Sequence, residues 1–207
     1  MTMYHPSRLE GWRLFGLLVL ALTALCIAMA GIRDFDVDGV RMVIRFTART
    51  SLLLFCLAFS AAALARLAPN AWTRWQRRNR RHLGLAFAAS HALHALAIAG
   101  FAAMDPAGYA AATSPASYIF GGIGYACVVA MTVTSFGRTA AVIGPRAWRA
   151  LHLTCGYYLL FQFAAAFGKR APDMPLYALF LIPLAAVFAL RMVSMASSAS
   201  PQPAQAG

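Results

Sequence analysis

Long uninterrupted runs of apolar residues, separated by short polar or basic stretches, dominate the pattern of this chain. Each run is roughly 20 residues long, which is the length that an α-helix needs to cross the hydrocarbon layer of a bilayer. The runs do not alternate between apolar and polar positions, as the strands of a membrane barrel would. The pattern therefore predicts an all-α membrane protein, a bundle of about six transmembrane helices. The predicted spans are 14–30, 51–68, 83–103, 118–136, 150–167 and 176–195.

The distribution of these runs predicts one membrane domain with two short flanks. Residues 1–13 are expected to form a cytoplasmic N-terminal segment, and residues 14–196 the six-helix transmembrane domain. Residues 197–207 contain only small and polar residues with nothing to bury, so they are predicted to be disordered. The sequence Ala-Met-Ala at 28–30 resembles a signal-peptidase site, but five further spans follow and favour a retained membrane helix.

Composition supports a membrane protein and changes how the net charge is interpreted. Apolar residues make up 61% of the chain and charged residues only 12%, about half the share that is usual in soluble domains. There are 18 Lys and Arg residues against 6 Asp and Glu, a net charge of +12. Because the arginines lie between apolar runs, this excess indicates membrane topology, and no nucleic-acid partner is expected.

The loop charges predict the orientation in the lipid bilayer. Residues 72–81 contain five arginines and no acidic residue, and three more arginines follow the fourth span. The loop at 104–117 contains no Lys or Arg, and the segment 33–38 has one Arg against three Asp. Only Lys169 and Arg170 oppose this pattern. Since Lys and Arg collect in cytoplasmic loops, both termini and the basic loops are expected in the cytoplasm.

Histidines inside the predicted spans are the main chemical signal. An ionisable ring in hydrocarbon is costly unless it faces a partner, a cavity or a metal. His91 and His94 are three residues apart and share one face of the third span, with His82 at its cytoplasmic end; His152 begins the fifth span. Imidazole is a common axial ligand of haem iron, so two helices can clamp a porphyrin. The alternative is that each ring only hydrogen-bonds to a neighbouring helix.

Short motifs at the starts of three spans resemble the ferric-reductase-like transmembrane family. Residues 80–85, Arg-Arg-His-Leu-Gly-Leu, followed by His94, are similar to the family's entry into helix three. Residues 148–152, Trp-Arg-Ala-Leu-His, resemble its entry into helix five, and residues 46–49 resemble its helix-two start. The resemblance covers roughly residues 10–195 and is strongest to the haem-binding membrane subunits of bacterial periplasmic methionine-sulfoxide reductase systems.

The resemblance implies an electron-transfer subunit of an oxidoreductase in the bacterial inner membrane. It would hold one or two b-type haem groups, with His94 and His152 as iron ligands in an outer and an inner layer. The electron donor would be a separate flavin reductase or a quinol on the cytoplasmic side, and the acceptor a periplasmic partner. Arg49 and Arg80 are candidates for pairing with haem propionates, or they extend to the membrane interface.

The chain also departs from that family at ligand positions. The second helix-five histidine of the family corresponds to Ala165, and the inner helix-three histidine of its oxidase members corresponds to Arg80. At 1.5 Å per residue, His94 lies about 13 Å deeper than His152, so they are not expected to share one flat haem. These departures keep open an alternative, a haem-less membrane scaffold or assembly protein with the same fold. A small transporter is a weaker alternative.

Other side chains are candidate replacements for the missing ligands. His82 has the depth of His152 but is displaced about 200° around the helix from Arg80, which predicts that it faces elsewhere. His91 is a candidate for the outer layer. Gln162 and Tyr158 are polar candidates on the fifth span.

Overall fold

The structure, a computed structural model, describes residues 9–199, with side chains described for 9–197. Within that range the chain forms seven α-helices and a short 3₁₀-helix, and no strand. The all-α fold class predicted from the sequence is confirmed. The helices are α1 Gly11–Gly31, α2 Val37–Leu67, α3 Ala71–Met104, α4 Pro106–Ala112, α5 Pro115–Val133, α6 Gly137–Gly168, the 3₁₀-helix Pro175–Phe180 and α7 Leu181–Ala199.

Six segments are long and apolar enough to cross a membrane: α1, α2, α3, α5, α6 and Pro175–Ser197. The chain is therefore a multi-pass membrane protein, as predicted. Helix α7 continues to Ala199, inside the tail that was predicted to be disordered. The rest of that tail, residues 200–207, and residues 1–8 of the N-terminal segment lie outside the described residues.

Two helices start well before the apolar runs from which they were predicted. Helix α2 begins at Val37 and has 31 residues, roughly 46 Å of helix against a hydrocarbon layer of roughly 30 Å. Its start is capped by Asp36, whose carboxylate accepts from the Gly39 amide at 2.7 Å. Helix α3 begins at Ala71 behind a capping box formed by Asn70 and Thr73. The arginine-rich segment 72–81 is therefore helical and continuous with the third span.

Two features of the loops were not predicted. A short helix, α4, occupies the loop without Lys or Arg between the third and fourth spans. Helix α6 starts at Gly137 and is broken at Gly144, where φ is +75°, before Pro145. Glycine adopts this backbone conformation without a steric penalty, and proline cannot donate the hydrogen bond that would continue the helix. The Gly-Pro pair was the sequence signal for this break.

The bundle is packed most closely on one side. Helices α2 and α3 make the most extensive contacts, and α2 also packs against α1 and α7. Buried hydroxyls and one imidazole form a polar seam between α2 and α3, whereas helix α5 buries only Gly124 and Val128 along its length. The polar seam consists of Thr47, Thr50, Ser51, Ser90 and His94.

The start of α1 is tied to the basic segment of α3. The Gly11 amide donates to Asn79 Oδ1 at 2.8 Å, and the Trp75 indole donates to the Leu9 carbonyl at 2.9 Å. These contacts fix the rotation of α3 about its axis and hence the direction of its arginines.

Candidate functional site

A cavity of about 290 Å³ lies at the end of the bundle that carries the basic segment 72–81. Helices α2, α3, α5 and α6 all contribute to its lining. This volume is at the lower end of the range for small-molecule sites, about 300–1,000 Å³. Its walls are mainly aromatic and apolar, its rim is basic, and one imidazole lines it. The residues concerned are Phe55, Phe59, Phe87, Met131 and Trp148 in the walls, Arg77, Arg78, Arg80 and Arg81 at the rim, and His152.

His152 is held in place by two residues around it. Its Nε2 lies 3.0 Å from the hydroxyl of Thr134, and that hydroxyl donates its proton to the Ala130 carbonyl at 2.7 Å. The hydroxyl must therefore accept from Nε2–H, which leaves Nδ1 as the ring nitrogen with a lone pair. Trp148 stacks on the ring at 4.2 Å and donates to the Thr134 carbonyl at 2.9 Å. The imidazole is thus oriented before any ligand binds.

His82 does not line this cavity, although it has the same depth. Its ring lies 5.2 Å from the ring of Trp12 on α1, and Gly11 lies beside it. The displacement of about 200° from Arg80 around α3 accounts for this direction. His82 and His152 are therefore not brought together.

His94 lies further along the bundle, in the polar seam. Its Nδ1 is 3.1 Å from the Ile44 carbonyl and 3.0 Å from the Thr47 hydroxyl. A carbonyl oxygen only accepts, so Nδ1 carries the proton and Nε2 is left with its lone pair. Imidazoles that ligate metals are usually oriented by such a hydrogen bond from the other ring nitrogen. His94 therefore has the tautomer that suits a ligand at Nε2.

His91 lies between the two levels, in a cluster of rings. It stacks near His94 at 5.5 Å and lies 4.8 Å from Tyr125 and 5.5 Å from Phe87. Its Nδ1 and the Tyr125 hydroxyl are buried and have no hydrogen-bond partner among the described residues. Phe87 also lines the cavity, so a chain of touching rings runs from the cavity wall to His94.

The two candidate iron ligands lie at different levels of the bundle. The ring of Phe163 is 6.1 Å from that of His91, and Phe163 is about three turns, or roughly 16 Å, beyond His152 on α6. His94 is one further turn along α3. His94 and His152 are therefore too far apart to bind one iron.

Helix α6 offers no second imidazole at the level of His94. Ala165, the position that corresponds to the family's second histidine, is exposed on the outside of the bundle. The hydroxyl of Tyr158 donates to the Phe120 carbonyl at 2.7 Å, and the amide of Gln162 packs near Gly124. Both polar candidates on α6 therefore face α5.

The two arginines predicted for carboxylate pairing lie in different places. Arg80 lines the cavity. Arg49 instead packs over the rings of Tyr177 at 5.3 Å and Phe180 at 5.7 Å, about two turns from Phe55 on α2. Its Nε is buried without a partner among the described residues. The structure therefore does not bring Arg49 to the cavity.

Arg191 on α7 was missed in the sequence. Its Cζ lies 4.4 Å above the ring of Phe59, which lines the cavity, and 5.5 Å from the ring of Tyr157. It is the only charged residue in the predicted span 176–195. Charged residues inside a span usually mark functional positions, so the signal was present.

None of the chain's six acidic residues lines the cavity. Glu10 lies at its rim, where it pairs with Arg78 at 3.1 Å. No group of three or more His, Cys, Asp or Glu residues converges as a metal site within residues 9–199. The cavity therefore combines an oriented imidazole, aromatic walls and a rim with a net positive charge.

Comparison of the chain with protein-family models, with curated proteins and with solved structures gives no match in any of the three. The functional argument therefore rests on the residues and their geometry.

Proposed function

We propose that this chain is a b-type haem protein that passes electrons from a donor at the basic end of the bundle to an acceptor at the opposite end. The observation that carries this proposal is the cavity of about 290 Å³, in which His152 and a rim of arginines meet aromatic walls. Haem is an amphipathic anion with a central metal, so it can interact with the imidazole, the arginines and the aromatic walls alike.

The residues of the cavity fit such a group in three ways. Haem has a flat apolar body, two carboxylates and an iron that binds imidazole nitrogen. Phe55, Phe59 and Phe87 offer apolar surface for the macrocycle, and the guanidinium of Arg80 suits a carboxylate. His152 has one nitrogen anchored to Thr134 and a second with a lone pair. When bound, haem would supply a one-electron couple between ferrous and ferric iron.

The protein's own contribution would be orientation, charge and exclusion of water. Thr134 and Trp148 hold the imidazole of His152 so that little rotational freedom is lost when it binds. The arginines stabilise negative charge at the rim, while the aromatic walls lower the local dielectric. The orientation of His152, the charge of the arginines and the low dielectric would together set how easily a bound haem accepts an electron.

The rings beyond the cavity support transfer toward the opposite end. Phe87, His91 and His94 touch in sequence, and His94 presents a ligand-competent Nε2 at the second level. Among residues 9–197, His94 would be the imidazole that holds a second haem at that level.

The predicted topology gives the proposal a direction. The basic end would face the cytoplasm of a bacterium and the chain would lie in the inner membrane. A flavin reductase or a quinol would deliver electrons there, and a periplasmic protein would accept them. The resemblance of residues 80–85 and 148–152 to the ferric-reductase-like family supports this assignment.

A second candidate function is a membrane scaffold or assembly protein that has lost haem. The exposed position of Ala165 favours it, because no imidazole of α6 then faces His94. Such a protein would keep the polar seam and the bundle for structural reasons alone.

A visible spectrum of the purified protein separates the two functions. The protein is produced in haem-replete cells, purified in detergent and reduced with dithionite. We expect a b-type Soret band and α-band, because His152 and the cavity would retain haem. His152→Ala should lose most of this absorbance.

His82→Ala is the matched control, since His82 lies on the α1 side of α3 and does not line the cavity. This variant should keep the wild-type spectrum. Colourless wild-type protein would refute the haem proposal and favour the scaffold. Equal loss in both variants would mean that the cavity is not the binding site.

A further inference from the structure

Two arginines from different helices converge on one wall of the cavity. Arg80 of α3 lines it directly, and Arg191 of α7 lies 4.4 Å above the ring of Phe59 in the same wall. His152 of α6 lines the same cavity. Basic side chains of three helices therefore lie in the cavity or against its wall.

Within residues 9–197, no acidic group in the cavity compensates the charges of Arg80 and Arg191. No acidic residue lines the cavity, and Arg191 Nε is buried without a hydrogen-bond partner among the described residues. Like charges repel more strongly in a low-dielectric interior than in water, and a buried guanidinium without a partner is costly. An anion bound between two such guanidinium groups would offset both their repulsion and the cost of burying them.

The surroundings of the two arginines also limit the kind of anion. Arg191 packs its guanidinium carbon over the rings of Phe59 and Tyr157, and a guanidinium donates its hydrogen bonds in its own plane. In-plane donors match the paired oxygens of a carboxylate or a phosphate. The rest of the cavity is apolar, which suits a ligand with a large apolar body.

We propose that Arg80 and Arg191 form a two-helix oxyanion site, which binds the carboxylate or phosphate of an amphipathic molecule whose apolar part occupies the cavity. The oxyanion would come either from a haem propionate, in which case the proposal rests on the proposed function, or from the headgroup of an anionic phospholipid. Either ligand joins α7 to α3 through two charge-assisted contacts.

The experiment uses the purified full chain in a neutral detergent with Arg80→Gln, Arg191→Gln and Arg191→Lys. Arg146→Gln is the matched control, because Arg146 is exposed just after the break in α6 and does not line the cavity. Phosphatidylglycerol and phosphatidylcholine are titrated separately. The readouts are the thermal midpoint and the lipid retained in native mass spectrometry.

In the phospholipid arm, phosphatidylglycerol should bind and raise the midpoint more than phosphatidylcholine does. Each glutamine variant should weaken this selective binding about tenfold, since each loses one charge-assisted contact. Arg191→Lys should weaken it less, because charge remains but the fork is lost. Arg146→Gln should bind like the wild type. Equal binding of phosphatidylglycerol by Arg191→Gln and Arg146→Gln, together with an unchanged haem potential, would overturn the proposal.

In the haem arm, the midpoint potential of any bound haem is measured by redox titration. Arg80→Gln and Arg191→Gln should each shift it to lower potential, because removal of a nearby positive charge favours ferric iron. Colourless protein with selective phosphatidylglycerol binding would refute the haem function and retain the oxyanion site. Coloured protein with an unshifted potential and unselective lipid binding would refute the oxyanion site and retain the haem function.

A purely structural role for Arg191 predicts a different result in delipidated protein. Loss of packing would lower the basal thermal midpoint of Arg191→Gln. An oxyanion site predicts an equal or higher basal midpoint, because repulsion from Arg80 is relieved when no anion is bound. A lower basal midpoint with undiminished lipid selectivity would therefore count against the site.

Discussion

The two histidine levels of the bundle are built in opposite ways. His94 on α3 is hydrogen-bonded to the Ile44 carbonyl and the Thr47 hydroxyl of α2. Helices α2 and α3 are the most closely packed pair in the bundle. His152 lies on α6, which packs more loosely, and lines a cavity of about 290 Å³ with a basic rim. One level has a ligand-competent nitrogen in a tight seam, and the other has an imidazole beside space for a ligand.

This difference separates two requirements that a cofactor site must meet together. One or two hydrogen bonds from neighbouring residues are enough to fix the tautomer of an imidazole, and close packing alone can provide them. Space for a ligand needs helices that are held apart, and charge that the chain leaves uncompensated. The level of His152 meets the second requirement, so changes there should have the larger effects.

The largest effect is expected from filling the contact between α6 and the cavity wall. A side chain at Gly156 would collide with the ring of Phe59, so Gly156→Val must displace that ring. Overpacking of this kind costs about 1–3 kcal/mol, and we expect a lower thermal midpoint in detergent and loss of any haem absorbance. At Gly124, by contrast, an added Cβ would meet its neighbours at 3.8 Å or more. Gly124→Ala should therefore be nearly neutral, and equal effects of the two variants would contradict the distinction.

Removal of the anchor of His152 should have the next largest effect. Thr134→Val deletes the hydroxyl that accepts from Nε2–H at 3.0 Å. A hydrogen bond of this kind contributes about 1 kcal/mol. The ring should then rotate more freely, so haem retention should fall while the fold persists. Absorbance per mole of protein and the thermal midpoint measure the two separately, and an unchanged absorbance would show that the anchor is not needed.

The equivalent change at the other level should be milder. Thr47→Val deletes one partner of His94, but the Ile44 carbonyl still accepts from Nδ1. Interhelical hydrogen bonds in membrane proteins average about 0.6 kcal/mol, so the thermal midpoint should fall slightly. Haem absorbance should not change. A loss as large as that of Thr134→Val would place the principal haem at the level of His94.

The smallest effect is expected where the resemblance to the ferric-reductase-like family would predict a gain. Ala165→His places a histidine where the family that the chain resembles has one, but position 165 is exposed on the outside of the bundle. We expect no new haem and no change in the reduced spectrum. A second b-type component would show that α6 can rotate to face His94.

The parts predicted from the sequence were those that depend on local pattern. Six apolar runs predicted six membrane-crossing helices, because a run of about 20 apolar residues has few other stable conformations in lipid. The direction of His82 followed from helical geometry alone. Helices α2 and α3 begin ahead of their apolar runs, since the arginine-bearing turns before those runs are helical but not apolar.

The parts that could not be predicted depend on how distant segments meet. The outward direction of Ala165 depends on the rotation of α6, which its packing against α5 and α7 decides. The approach of Arg191 to Phe59 depends on α7 and α2 lying side by side. The separation of Arg49 from the cavity depends on the 3₁₀-helix that supplies Tyr177 and Phe180. No local spacing encodes these three arrangements.

The hydroxyls and the imidazole between α2 and α3 also bear on how the chain enters the bilayer. Ser90 bonds to Thr50 at 2.9 Å and to Ser51 at 3.0 Å, and His94 bonds only across to α2. If α3 met acyl chains alone, its imidazole would lose these partners at a cost that lipid cannot offset. We therefore expect α2 and α3 to leave the insertion machinery together, as one helical hairpin, before the later helices are added.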